Sequence, residues 1–168
     1  MTESNIIHLE IMSDNEIVNL LESNPEVYES EFNKFMFYLR SDLDNIRIDI
    51  RKLSRYLYLY TNNHSDLRIV CDRVESILNQ FHIFYERYRR LYNMRYPEYE
   101  CLDPRYMYVQ RATHSICQIS SRISDTQAYL YTIAMILAAD MPSYFRISDF
   151  NKHFMNIYFR EHMDQKLL

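Results

Sequence analysis

The chain contains no glycine in 168 residues, although average usage predicts roughly a dozen. Glycine adopts positive φ at little cost and lets a ligand approach bare backbone. Phosphate-binding loops, nucleophile elbows and type I′ hairpins depend on that freedom. The absence of glycine therefore excludes the usual form of many enzyme sites and favours helices joined by short polar corners.

Length and cysteine usage predict a single domain, residues 1–168, inside the cell. A chain of this size buries roughly 70% of its unfolded surface, so it needs no metal or disulfide to fold. No run approaches the roughly 20 apolar residues of a membrane span, and the acidic N-terminus lacks a secretory pattern. Cys71, Cys101 and Cys117 are odd in number and unclustered, which is typical of reduced thiols. We expect a cytoplasmic or nuclear protein.

Charge is distributed unevenly along the chain. The net charge is −4, yet residues 1–33 carry eight acidic groups and no lysine or arginine, so the remainder is basic. Fifteen of the 19 basic residues are arginine, which stacks on aromatic rings and forms paired bonds to carboxylates or phosphates. The acidic segment either folds back on a basic body or tunes its affinity for an anionic partner.

Five helix starts are marked by residues that accept backbone N–H groups. Ser13 and Glu16 form a capping box, and Asn24-Pro25 and Asp103-Pro104 each place proline after an N-cap residue. Ser65-Asp66 and Ser148-Asp149 repeat the pattern more weakly. The sequence predicts an N-terminal arm at 1–12, followed by helices at 13–23, 25–61, 65–95, 104–139 and 149–166. We expect the apolar segment 6–12 of the arm to pack on its own domain; the alternative is a short docking segment for a partner.

The three long helices carry apolar residues at alternating spacings of four and three. This heptad pattern predicts a coiled-coil-like, elongated antiparallel bundle, because the corners between the helices are short. The first line is Phe32, Met36, Leu39, Leu43, Ile46, Ile50, Leu53, Leu57 and Tyr60. The second is Leu67, Val70, Val74, Ile77, Phe81, Phe84, Tyr88 and Leu91. The third is Val109, Ala112, Ile116, Ile119, Ile123, Thr126, Leu130, Ile133 and Leu137.

Further apolar residues lie beside these lines, among them Ile48, Ile69, Ile83, Met135 and Ile136. A wide apolar stripe contacts more than one neighbour. We expect them to serve a fourth or fifth helix or the interface of a homo-oligomer.

No motif indicates catalysis, a metal or a cofactor. His82 and Glu86 stand one turn apart and are interpreted as a surface pair, since no histidine is preceded at three residues by an acid, as helical di-metal sites require. Cys117 and His114 share a face, but this spacing is common by chance. We expect no enzyme activity and no small-molecule substrate.

The segment most typical of a binding surface alternates arginine with tyrosine. Both residue types are enriched at interface hot spots, and the same chemistry grips phosphates and unstacked bases. Arginine near a helix C-terminus also complements the helix dipole, and tyrosine extends a core, so a purely structural role is an equal alternative. The predicted partner-binding residues are Tyr85, Arg87, Arg89, Arg90, Tyr92, Arg95, Tyr96, Tyr99 and Arg105.

A second basic line follows the first long helix and is interpreted as a solvated face. Asp42, Asp44 and Asp49 are interleaved with it, and pairs at this spacing contribute only ~0.2–0.5 kcal/mol each. The line consists of Arg40, Arg47, Arg51 and Arg55.

The sequence thus favours a non-enzymatic interaction or assembly protein that binds a protein partner or itself through the Arg/Tyr segment. The alternative is an RNA-binding helical bundle that uses the same arginines, although the pI near 5.9 disfavours it. In composition the chain resembles compact helical host-interaction proteins of large DNA viruses, which implies a viral origin. No membrane contact is expected.

Overall fold

The computed structural model describes residues 9–59 and 64–167, and within these ranges the chain is a helical bundle with no β-strand. A short 3-10 helix at Leu9–Ile11 precedes the α-helices. Five α-helices follow: α1 at Asp14–Ser23, α2 at Pro25–Leu59, α3 at His64–Tyr92, α4 at Pro104–Asp140 and α5 at Asp149–Leu167. The all-helical class and the presence of five helices are confirmed, whereas the heptad geometry and the antiparallel order stay predictions.

The helix starts form where capping residues predict them. The Ser13 hydroxyl accepts the backbone N–H of Glu16 at 3.2 Å, and Asn24 accepts that of Val27 at 3.4 Å. These side chains satisfy backbone N–H groups that have no partner inside the helix. Helix α3 begins at His64, so its predicted Ser65-Asp66 cap does not mark the boundary.

The last two starts are capped in the same way. Asp103 accepts the backbone N–H of Arg105 at 2.9 Å, and Ser148 accepts that of Asn151 at 3.3 Å. The N-cap residue has a non-helical backbone conformation, and its side chain accepts a backbone N–H group of the first turn. The corners can therefore be formed without glycine. No described residue adopts positive φ.

The described chain divides into two compact units, and helices α2, α3 and α4 each contribute a segment to both. Unit 1 consists of residues 9–42 and Glu86–Arg122, and unit 2 consists of Leu43–Tyr85 and residues 123–167. The assignment of 1–168 to one domain stays a prediction.

The core of unit 1 is built on α1 and the first part of α2. Ile17 and Leu21 of α1 are fully buried, in keeping with the apolar stripe of that helix. Burying an aliphatic side chain of this size contributes ~1.5–3 kcal/mol. The other buried residues of unit 1 include Tyr28, Phe32, Phe35, Met36, Leu39, Tyr88, Leu91, Met94, Ala112, Ile116 and Ile119.

The core of unit 2 consists of the parts of the predicted apolar lines that lie in this unit, together with α5. Across both units, every line residue with a described side chain is buried except Leu57 and Val109, which are half-buried; Tyr60 lies outside the described residues. Helix α5 buries Phe154 and Met155, while Phe150 of the same helix is exposed. The buried line residues of unit 2 are Leu43, Ile46, Ile50, Leu53, Val70, Val74, Ile77, Phe81, Phe84, Ile123, Thr126, Leu130, Ile133 and Leu137.

The N-terminal arm is described from Leu9 onward. Leu9 is buried and Met12 half-buried, whereas Ile11 is exposed. This part of the arm packs through one side only; the predicted residues 6–8 lie outside the described chain.

Candidate interaction surface

The predicted Arg/Tyr segment covers the end of α3 and the connection to α4. Helix α3 closes with a bond from the Asn93 backbone N–H to the carbonyl of Arg89, at 2.8 Å. The buried side chains of Leu91 and Met94 hold this end against unit 1. The segment is therefore anchored by its apolar residues, and its polar residues differ in their contacts.

Two tyrosines of the segment pack inside their units. Tyr85 belongs to unit 2, where its ring stacks on Phe81 at 5.9 Å. Tyr96 belongs to unit 1 and meets the ring of Tyr28 edge to face at 6.3 Å, and burial raises the pKa of both Tyr28 and Tyr96. Both rings thus pack against aromatic side chains of their own unit.

Arg87 is neutralised within unit 1. Its guanidinium donates to Asp42 at 2.8 Å and also to Glu10, and it lies over the ring of Phe35 at 5.4 Å. A guanidinium shared between two carboxylates and an aromatic face has little capacity left for a partner.

Arg105 is neutralised by the residue that caps its own helix. Its Nε and a terminal nitrogen donate to the two oxygens of Asp103 at 3.0 and 2.8 Å, and the group lies 4.7 Å from the ring centre of Tyr99. The hydrogen bonds from Arg105 hold the pKa of Asp103 below its usual range. Tyr99 is half-buried beneath this pair.

The four remaining residues of the segment differ from these, and we refer to them as the α3-end surface: Arg89, Arg90, Tyr92 and Arg95. Three of them are exposed and Arg90 is half-buried. Tyr92 exposes 63% of its surface and touches the ring of Tyr88 at 6.0 Å. None of the three arginine side chains makes a hydrogen bond or ion pair within the described chain.

The acidic N-terminal segment supplies part of this pairing. Glu10 bonds Arg87, and Glu29 bonds Arg111 through both carboxylate oxygens, at 3.2 and 2.9 Å. Within unit 1 the acidic segment thus contacts basic residues, which was one of the two alternatives that the charge pattern left open. It leaves the arginines of the α3-end surface unpaired.

A polar network in the core of unit 2 was missed by the sequence analysis. His82 is fully buried, so its interpretation as a surface pair with Glu86 was wrong. Its Nδ1 lies 2.7 Å from Oδ1 of Asn151 and its Nε2 lies 2.6 Å from the Tyr131 hydroxyl. The ring stacks on Phe154 at 4.5 Å. The network joins α3, α4 and α5.

The hydrogen bonds of Asn151 determine the protonation of this histidine. The Asn151 amide nitrogen donates to Glu75 at 2.9 Å and to Asn79 at 2.8 Å. Its carbonyl oxygen therefore faces His82 as an acceptor, and Nδ1 of His82 must carry the proton. Nε2 then accepts from Tyr131. Burial lowers the pKa of His82 to about 4, so the imidazole is neutral at pH 7.

The three cysteines and His114 differ in burial and in their contacts. Cys71 is buried and burial raises the pKa of its thiol. Cys101 and Cys117 are exposed, and Nε2 of His114 lies 3.1 Å from the side-chain amide of Gln118. Within the described ranges no three His, Cys, Asp or Glu side chains are grouped as metal ligands would be.

The fold and the surface define a helical bundle with an unpaired Arg/Tyr surface. No protein-family model, curated protein or solved structure matches the chain. Among the described residues, no helix combines the length and apolar character needed to span a membrane.

Proposed function

We propose that this chain is a non-enzymatic interaction protein whose α3-end surface binds an acidic protein partner. The observation that carries the proposal is the contrast within one basic segment. Arg87 and Arg105 are paired with carboxylates, whereas Arg89, Arg90 and Arg95 have no partner in the described chain. A partner that supplies carboxylates would complete these three guanidinium groups.

Tyrosine and arginine together provide both parts of a hot spot. Tyr92 stands between Arg89 and Arg95 in the sequence and is largely exposed. Its ring offers rigid apolar area, and the guanidinium groups offer charge-assisted hydrogen bonds. The dipole of α3 favours cations in its last turn by ~0.3–1 kcal/mol, which applies to Arg89 and Arg90 but not to Arg95, which follows the helix.

The same arginines are suited to binding RNA phosphates, but the acidic residues that follow them in the sequence favour a protein partner. Glu98 and Glu100 are exposed in the connection that follows α3. A nucleic-acid backbone carries only negative charge and would be repelled by them. A protein surface can place acids on the arginines and basic groups on these glutamates.

Site-specific photo-crosslinking tests the proposal. A photoreactive phenylalanine analogue replaces Tyr92 in the full chain, which is expressed in its native cell, irradiated and examined by mass spectrometry. We expect a protein adduct that is lost when Arg89 and Arg95 are both changed to Ala. Loss of even one hot-spot residue typically costs ~2 kcal/mol, or roughly 30-fold in affinity.

The matched control places the analogue at Tyr38, an exposed tyrosine of α2 in the same unit, and changes Lys34 to Ala. Equal adducts at both positions would contradict a specific surface. An RNA adduct at Tyr92 would favour the nucleic-acid alternative, and its binding should weaken steeply with salt. Circular dichroism of each variant shows whether helicity is retained.

A further inference from the structure

A cleft of about 180 Å³ lies in unit 2 between α2 and α4. Ile50 and Thr126 are buried at its apolar part. Its polar residues are Arg47, Arg51 and Ser54 from α2 and Asp125 and Tyr129 from α4. The cleft thus collects charged and hydroxyl groups around a small space.

The side chains of the two arginines have no partner among the described residues. Arg47 is half-buried and Arg51 exposed, and neither guanidinium group makes a hydrogen bond or ion pair within the described ranges. The intrahelical pairing predicted for this basic line is absent at both. Residues four apart on a helix lie on one face with Cβ atoms ~6 Å apart, so both guanidinium groups can reach one ligand.

Two hydroxyl groups, of Ser54 and Tyr129, also line the cleft. Ser54 Oγ lies 2.5 Å from the Tyr129 hydroxyl and 3.1 Å from the carbonyl of Ile50. Ser54 donates to the Ile50 carbonyl, so the Tyr129 hydroxyl donates to Ser54. The guanidinium groups of Arg47 and Arg51 are therefore the donors that the cleft offers to a ligand, and two cationic forks suit a phosphoryl group.

The negative charge of Asp125, which also lines the cleft, affects which phosphoryl ligand fits best. Its carboxylate opposes a bare anion but accepts a hydrogen bond from a hydroxyl group on the ligand. The cleft volume corresponds to about six water molecules at ~30 Å³ each, enough for a phosphate and a few further atoms. We propose that this cleft binds a small hydroxylated phosphate monoester, held by Arg47 and Arg51 and oriented by Asp125.

Calorimetric titration of the full chain tests the assignment with glycerol 3-phosphate, inorganic phosphate and glycerol as probes. We expect saturable binding of glycerol 3-phosphate, weaker binding of inorganic phosphate and none of glycerol. Changing Arg47 and Arg51 together to Gln should weaken glycerol 3-phosphate binding at least tenfold. The control Arg55→Gln removes an exposed arginine of the same helix that does not line the cleft, and should leave it unchanged.

The Asp125→Asn variant tests the selection step. It should strengthen binding of inorganic phosphate and remove the advantage of glycerol 3-phosphate. No saturation with glycerol 3-phosphate, or equal binding by the Arg47/Arg51 double variant, would overturn the site. Equal affinity of the wild-type chain for inorganic phosphate and glycerol 3-phosphate would overturn the monoester assignment. Thermal melting of each variant verifies that it is folded.

Discussion

Protonation of His82 should make the protein lose stability in mild acid. The folded chain holds this imidazole neutral, because Tyr131 donates to its Nε2 and burial lowers its pKa from 6.5 to about 4. In the unfolded chain the same group titrates near 6.5. Between these two values the unfolded state binds more protons, so the free energy of unfolding falls as pH falls.

The size of this effect follows from the interval between the two pKa values. Each tenfold change in proton affinity corresponds to ~1.4 kcal/mol, and the lowering from 6.5 to about 4 therefore corresponds to ~3 kcal/mol. The loss begins as the pH falls below about 6.5 and is complete near pH 4. Domains of this kind have only ~5–15 kcal/mol of stability, so the loss is a large fraction.

Urea unfolding at half-unit intervals from pH 7.5 to 4 measures the effect. The variant His82→Gln retains a polar side chain but cannot titrate, so the difference in unfolding free energy from wild type should shrink by ~3 kcal/mol on acidification. Groups remote from His82 contribute equally to both proteins, so their effects cancel in the difference. His153→Gln, at an exposed position of α5, serves as control. A pH-independent difference between wild type and His82→Gln would refute the reasoning.

Two further predictions concern packing and thiol exposure. Ile46 and Ile48 lie on the same helix with 3% and 44% of their surface exposed. Ile46→Ala should lower the free energy of unfolding by ~2–5 kcal/mol through the cavity it leaves, and Ile48→Ala should lower it by less than ~0.5 kcal/mol. Urea unfolding at pH 7 measures both effects. Cys101 and Cys117 should react with a thiol reagent in the native protein and Cys71 only on unfolding, which time-resolved mass spectrometry detects; fast labelling of all three would contradict the burial of Cys71.

The apolar lines of the long helices were accessible from sequence because helix geometry is local. Residues spaced by three and four share a face whatever the neighbours are, so Leu39, Val74 and Ile119 could be assigned to the core and are buried. The capping residues Ser13, Asn24 and Asp103 were accessible for the same reason, since a cap bonds a backbone group two or three residues away.

For the Arg/Tyr segment, the sequence revealed the residue types but not the contacts of their side chains. Arg87 and Arg89 stand two residues apart and look alike in sequence. One is neutralised by Asp42 and Glu10, from distant parts of the chain, and the side chain of the other has no partner among the described residues. Only the folded structure distinguishes them, because ion pairing depends on which carboxylates arrive nearby.

The burial and the hydrogen bonds of His82 could not be predicted from sequence either. Glu75, Asn79 and His82 occupy one face of α3 at helical spacing, a polar line that the sequence alone cannot separate from a solvated surface. Asn151, from α5, and Tyr131, from α4, join that line in a hydrogen-bonded network in which His82 and Asn151 are buried. Helical periodicity and capping are local properties and were determined by the sequence itself, whereas the partners of polar groups depend on tertiary packing and were decided only there.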